Sequence, residues 1–268
     1  MQNPFLKFSF FIVLALFITG CYQDVTDVNN GNDDDNNNGE LPGEFSHKNT
    51  PGDSNEDFVT NQEFDNLVIE IQYMPGMEPD EESLNNLLDF LDEHLDKTDI
   101  TILVPQSINS LNQTSYTLED LQDLEDENRE VYSEESTLAA YILIVDGSYF
   151  GGQFEEPTRL SISTYNTSIA LFGGTIDRIS GPLTFEPSKL LVETNSMNHQ
   201  FGHLMGLVDL STEMVDEHLD SPNDHHCTNQ ECLMHFRVNS TEFFDSQFDD
   251  QISVLDNFCV DDLHSLIE

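Results

Sequence analysis

Basic side chains are scarce: 8 Lys and Arg stand against 52 Asp and Glu, a formal net charge of −44. A surface that acidic repels phosphate backbones and anionic headgroups, which argues against nucleic acid as a partner and for a solubilising role. Cysteine is also sparse, at four positions: Cys21, Cys227, Cys232 and Cys259. The Asp-rich run near the N-terminus lacks the glycine-centred loop and closing Glu that an EF-hand calcium site requires. No internal repeat is visible, which argues against a solenoid. What remains is ample for one domain and a tail, since 37% of the 268 residues are hydrophobic.

The N-terminus reads as an address. Lys7 precedes an apolar run from Phe8 to Ile18, too short to span a bilayer comfortably but suited to the core of a signal peptide. The following Ile18-Thr19-Gly20-Cys21 resembles a bacterial lipoprotein signal, with Ile18 where Leu is usual. That resemblance implies cleavage before Cys21 and lipidation of its thiol, hence an exported protein touching a bacterial membrane, outer membrane or cell surface, through its anchor only. Residues 21–62, rich in Asn, Asp and Gly, bury too little apolar surface to offset their ordering entropy and are expected to form a disordered acidic tether. The folded domain is expected over 63–268.

Within it, Asn66 to Met74 has strand character, and Leu84, Leu87, Leu88, Leu91 and Leu95 form a helical stripe between Pro79 and Leu95. A second strand is expected over Ile100–Val104, then a capped helix beginning at Thr117 with Leu118, Leu121 and Leu124. Ala139 to Gly147 is apolar on both faces and therefore reads as a central strand. Arg159 to Gly174 gives one or two more, turning near Asn166. A helix follows Pro187, capped by Ser188 and ending near Gly206. Strands alternating with helices predict a three-layer α/β domain with a mixed sheet.

His199 and His203 lie four residues apart on that last helix, so both imidazoles can reach one ion. Gly206, three residues on, can take positive φ and turn the chain back. His199-Gln200-Phe201-Gly202-His203-Leu204-Met205-Gly206-Leu207-Val208-Asp209 resembles the HExxHxxGxx(H/D) motif of metzincin zinc endopeptidases. His226-Cys227-Thr228-Asn229-Gln230-Glu231-Cys232-Leu233-Met234 resembles the HCx4CxM segment of archaemetzincins. With the N-terminal signal, the pattern is similar to bacterial lipoproteins of the membrane metalloprotease type.

The resemblance implies a zincin domain with an active-site helix, a Zn²⁺ cofactor and a peptide or protein substrate. His199 and His203 are then ligands, and the third is His226, by its spacing to the cysteines, or Asp209, by its offset from Gly206. If His226 ligates, Asp209 can orient a ligand imidazole. Met234 would form the methionine turn below the ion. His218 and His225 read as surface residues of an acidic loop, and either could substitute as the third ligand. Archaemetzincins carry a second, structural zinc on cysteines ending in CxxC, whereas here Asp262 stands at the last position after Cys259. An exported chain equally allows a disulfide among Cys227, Cys232 and Cys259, with one thiol left over.

Gln200 stands where the family has its general base. It can hold a water by hydrogen bonding but cannot take its proton, and that step is worth on the order of 10²–10⁴ in rate. Three accounts follow: a peptidase impaired as written, a zinc-binding pseudoprotease that holds peptides or partners, and a metal-free structural or adhesive lipoprotein. A different carboxylate acting as base would restore the first. The strand near Leu160 to Phe172 is the expected peptide-binding wall, with proline at Ser168 and Ala170 as its test.

Overall fold

In a computed structural model, the described residues are 45–151, 155–156, 158–181, 186–246 and 251–267. The signal segment, Cys21 and the tether as far as residue 44 lie outside them. In chain order the elements are α1 (Asn55–Val59), β1 (Asn66–Tyr73), α2 (Glu81–His94), β2 (Asp99–Ile102), β3 (Gln106–Ser107), β4 (Ser115–Tyr116), α3 (Leu118–Asn128) and β5 (Thr137–Val145). Then come β6 (Ser148–Phe150), β7 (Glu155–Glu156), β8 (Ser161–Tyr165), β9 (Ser168–Phe172), α4 (Gly173–Ile179), α5 (Lys189–Leu204), α6 (Thr241–Ser246) and α7 (Asn257–Ile267).

The main sheet runs β2-β1-β5-β9-β8, with β3 also paired to β1. Its pairs are parallel except β8 with β9, so the sheet is mixed, with β2 and β8 at its two edges. β5 is central, as its two apolar faces predict. Its Leu138, Ala140, Ile142 and Ile144 join a core built with α2 and α5, whereas Tyr141, Leu143 and Val145 meet Leu121 and Leu124 of α3 on the other side. Helices thus cover both faces, giving the three-layer α/β arrangement. Leu118 departs from its expected stripe: as the first residue of α3 it sits 38% exposed.

Helix ends follow local chemistry. Asp80 caps α2 by accepting from Glu82 N–H (2.9 Å), and Thr117 and Asp120 form a reciprocal capping box on α3. Ser188 caps α5 by accepting from Leu191 N–H (3.2 Å). At the other end of α5, Gly206 N–H donates to the His203 carbonyl (3.0 Å) and Leu207 N–H to that of Gly202 (3.1 Å). That pair is a Schellman stop with Gly206 at φ +74°.

The folded body begins earlier than residue 63. Residues 45–62, grouped with the tether by composition, include a fully buried Phe58 and Val59 and a helical turn. Asn166, in the turn between β8 and β9, ties this segment down, donating to the Ser46 carbonyl and the Ser54 hydroxyl (both 2.9 Å) and accepting from Asn49 N–H (3.0 Å). The few apolar side chains sit at the very end of a polar stretch, so averaging over the stretch hides them.

Polar side chains of β1 are also buried. The Glu70 carboxylate accepts from the Val131 N–H (2.8 Å) and from Gln72 Nε2 (2.8 Å). Nearby, Arg129 pairs with Glu125 at 2.8 Å, both side chains nearly inaccessible. Such charges are tolerated inside because each is hydrogen-bonded.

Candidate metal centre

Nearly every position of α5 from Leu191 to Gly202 is buried, so the helix runs through the domain and its polar residues need partners. His199 is fully buried, and its Nδ1–H donates to the Leu233 carbonyl at 2.8 Å. His226 Nδ1–H donates to the Asp224 carbonyl, also at 2.8 Å. Each bond fixes the ring and leaves Nε2 as the free donor atom. His199 Nε2 lies 3.2 Å from His203 Nε2. Two nitrogens of one tetrahedral zinc, at bonds of about 2.0–2.1 Å, stand about 3.3 Å apart. Ligand atoms of His199, His203 and His226 all fall within 4.8 Å of one another.

Burial, reinforced by the charge His226 would carry, pushes the His199 imidazole down to about 3. His203 is held well below the usual range by burial and by His199, and His226 is lowered mainly by burial. All three imidazoles are therefore neutral at pH 7, the state in which nitrogen donates to a metal.

Of the two choices for a third donor, His226 joins the pair. Asp209 is exposed at φ +59°, one residue after Val208 at φ +56°. The stop at Gly206 is followed by Ser211 and Thr212 N–H groups closing onto the Gly206 carbonyl, and this tight coil turns Asp209 outward. Met234 is fully buried and approaches α5 at Gly202, where a Cβ would stand 2.3 Å from its sulfur. Only glycine admits that approach, one residue before His203.

Gln200 is buried and held at both ends. Ser163 Oγ donates to its Oε1 (2.8 Å), and its Nε2 donates to Ser161 Oγ (3.1 Å). Both serines belong to β8, so the carboxamide ties α5 to the sheet edge. A cleft of about 200 Å³ beside it is walled by Gln200, Ser163, Arg159, Asp224, His203 and His226. Arg159, Asp224 and the two serines escaped sequence reasoning because none stands in a motif. β8 is the edge next to the site, whereas Ser168 and Ala170 lie on β9, paired on both sides. Proline there would break the sheet itself, and within the stretch 160–172 it is Ser161–Tyr165 that lies at the sheet edge.

His218 is the other correction. Expected on the surface, it is 2% exposed, because Asp262 accepts from its Nε2–H at 2.8 Å inside the fold. Burial opposes its charge, yet the bonds to Asp262 and Cys227 raise it to about 10. His225 lies beside the cleft at φ +61°. Cys227, Cys232 and Cys259 come together fully buried as free thiols. Hydrogen bonds from the Cys227 and Cys259 thiols hold Cys232 below the usual thiol range.

No family model matches this chain, and no curated protein matches it. Among solved structures it is similar to the archaemetzincin of Methanopyrus kandleri, at 13% identity over 76% of this chain and 96% of that one, TM-score 0.47. It is similar also to a zinc-dependent peptidase from Methanocorpusculum labreanum (11% identity, 73% and 99% of the two chains, TM-score 0.45). A third is metalloproteinase-II of Bacteroides fragilis (15% identity, 78% and 56%, TM-score 0.39). Among the described residues, no helix is long and apolar enough to cross a membrane.

Proposed function

We propose that this chain is an exported, lipid-anchored zinc protein of the metallopeptidase type that binds peptide segments and hydrolyses them poorly. The observation that carries the reading is the convergence of three neutral imidazoles, the buried His199 and the half-buried His203 and His226, with donor atoms within 4.8 Å of one another. A zinc ion held there would supply Lewis acidity to a carbonyl or a bound water. The chain's residues must do the rest. The Leu233 and Asp224 carbonyls fix two ligand rings, and the β8 edge beyond Ser161, whose own N–H and carbonyl are taken by Asn239, offers backbone groups to an extended peptide.

Weak hydrolysis follows from more than the identity of residue 200. Asn239 Oδ1 accepts from Ser161 N–H (2.9 Å), and its Nδ2 donates to the Ser161 carbonyl (2.9 Å), which fixes the Asn239 amide. Ser161 Oγ–H donates to Asn239 Oδ1 (2.8 Å), nearer than the Ser196 carbonyl (3.4 Å), leaving the hydroxyl oxygen to accept from residue 200. A carboxamide supplies that donor; a carboxylate does not. The surroundings of Gln200 are therefore matched to an amide, which favours a site adapted to binding.

The test uses the full chain carrying Cys21→Ser, so that no lipid attaches, beside its Gln200→Glu variant. Both are assayed for bound zinc and against an unbiased peptide library. Zinc in both with cleavage only by the variant supports the reading. Equal cleavage by the two would refute the claim of poor hydrolysis, and no zinc in either would refute the metal site. Membrane fractionation of the native sequence against Cys21→Ser tests the anchor: the native chain should sediment with membranes and the variant should not.

A further inference from the structure

We propose that a second pocket, between α2, α5 and the segment leading into α7, binds a small organic cation: an ammonium on an apolar stem, either a free amine or the end of a lysine side chain. The pocket shares no residue with the cleft beside Gln200 and so does not depend on the three-histidine site. It holds about 520 Å³, within the size range of small-molecule sites. Phe90, Leu255 and Val260 form its apolar wall, and Ile252 and Val254 continue that wall toward solvent.

The acceptor inside the pocket is Asn198. This residue is 2% exposed, and its buried Oδ1 has no hydrogen-bond partner. Buried carbonyl oxygens are normally paired, and those of its neighbours on α5 are. Thr194 Oγ1 accepts from Asn86 Nδ2 (3.3 Å). Asn195 Oδ1 accepts from Ser253 N–H (2.8 Å), while its Nδ2 donates to the Leu191 carbonyl (3.0 Å). These bonds also hold the walls in place, because Asn86 lies on α2 and Ser253 on the segment before α7. What Asn198 lacks is an N–H or O–H donor, and a ligand in the pocket supplies one without disturbing either wall.

Charge decides among the possible donors. Asn86, Asp89, Phe90, Glu93 and His94 recur at helical spacing along one face of α2, which puts two exposed carboxylates, Asp89 and Glu93, at the pocket's edge. No Lys or Arg stands among its described lining residues. Burial lowers the His94 imidazole, so at pH 7 it does not offset the two acids. A carboxylate or phosphate would be repelled here and by the field of a chain carrying −44. An alcohol could donate to Asn198 but would gain nothing from Asp89 and Glu93. An ammonium gains from all three, while its stem covers Phe90, Leu255 and Val260.

The experiment titrates n-hexylammonium, methylammonium, hexan-1-ol and hexanoate into the full chain with Cys21→Ser at pH 7, followed by NMR. Expected is saturable binding of n-hexylammonium, about tenfold or more tighter than methylammonium because each buried CH₂ is worth about fourfold. Hexan-1-ol should bind more weakly and hexanoate not at all. Asn198→Leu, which leaves no other group unpaired, should weaken n-hexylammonium about tenfold or more. Asp89→Asn/Glu93→Gln should weaken it about 2–30-fold, whereas Asp123→Asn/Glu127→Gln, exposed on α3, should leave it unchanged. Nα-acetyl-lysine methylamide binding as tightly as n-hexylammonium would assign the site to a lysine side chain, and weaker binding to a free amine; both support it. Four results would overturn the proposal: no saturable binding, hexan-1-ol as tight as n-hexylammonium, equal losses from the two acidic pairs, or unchanged affinity in folded Asn198→Leu. Should Asn198→Leu fail to fold, the two acidic pairs still decide.

Discussion

Replacing Gln200 by Glu would give the site the base its motif lacks, and the geometry predicts that stability falls as activity rises. The side chain is 2% exposed. Its Nε2 donates to Ser161 Oγ at 3.1 Å, and that hydroxyl is committed to Asn239. A carboxylate sets two acceptors against one hydrogen, so one buried polar contact is lost, at about 1–3 kcal/mol. For a domain of this size each kcal/mol moves Tm by about 2–4 °C, so the chelator-treated variant should melt about 2–12 °C lower. Added zinc should recover part of that loss, because a carboxylate beside a divalent ion gains an opposite charge. Peptide hydrolysis should rise by on the order of 10²–10⁴. In a Ser161→Ala background the stability penalty should shrink, a coupling that a double-mutant cycle measures. An unchanged or higher Tm for metal-free Gln200→Glu would refute the claim that the surroundings are matched to an amide.

Other outcomes follow from the same geometry. Gly202→Ala drives a methyl group to 2.3 Å from Met234 Sδ; the overpacking should lower stability by about 1–3 kcal/mol in denaturant titrations and weaken zinc binding at His203. Arg129→Met leaves Glu125 buried without its 2.8 Å partner and should cost about 3–5 kcal/mol. In the metal-free protein, His47, lowered to about 3 by burial and Arg129, and His199, also about 3, resist protonation only while folded. Above about 6.5 both are neutral in either state and contribute no pH dependence. As pH falls from 6.5 toward 3 the unfolded chain takes up protons that the native state refuses, so stability should drop by up to about 1.4 kcal/mol per pH unit for each group. His218 has the opposite sign, its contribution being fully present below 6.5 and lost as pH rises toward 10. Chemical denaturation at pH 7, 5.5 and 4 checks the direction.

Much of this is legible in the sequence. The apolar stripes of α2 and α5, the two-faced run of β5, and the caps Thr117 and Ser188 announced themselves because periodicity and capping are local properties. His199 and His203 were visible for the same reason: one helical turn fixes their spacing. In the sequence the third position stays open between Asp209 and His226, since it depends on where a 20-residue excursion returns; the Schellman stop and the left-handed backbone of Val208 and Asp209 turn Asp209 away from the group that His226 joins. The burial of His218 is invisible in the sequence because Asp262, 44 residues away, makes it. The packing of 45–62 is hidden because a handful of apolar side chains is averaged with a polar tail. Ser161, Ser163 and Asn239 carried no motif at all, yet their hydrogen bonds give Gln200 its meaning.

Whether His199, His203 and His226 hold one zinc is read by metal binding to the full chain carrying Cys21→Ser and Cys259→Ser, which disables the thiol cluster. Calorimetric titration of the zinc-free protein should give one tight site that His226→Ala weakens by at least tenfold while Asp209→Ala leaves it unchanged. Zinc affinity untouched by His226→Ala, or lost with Asp209→Ala, would contradict the account.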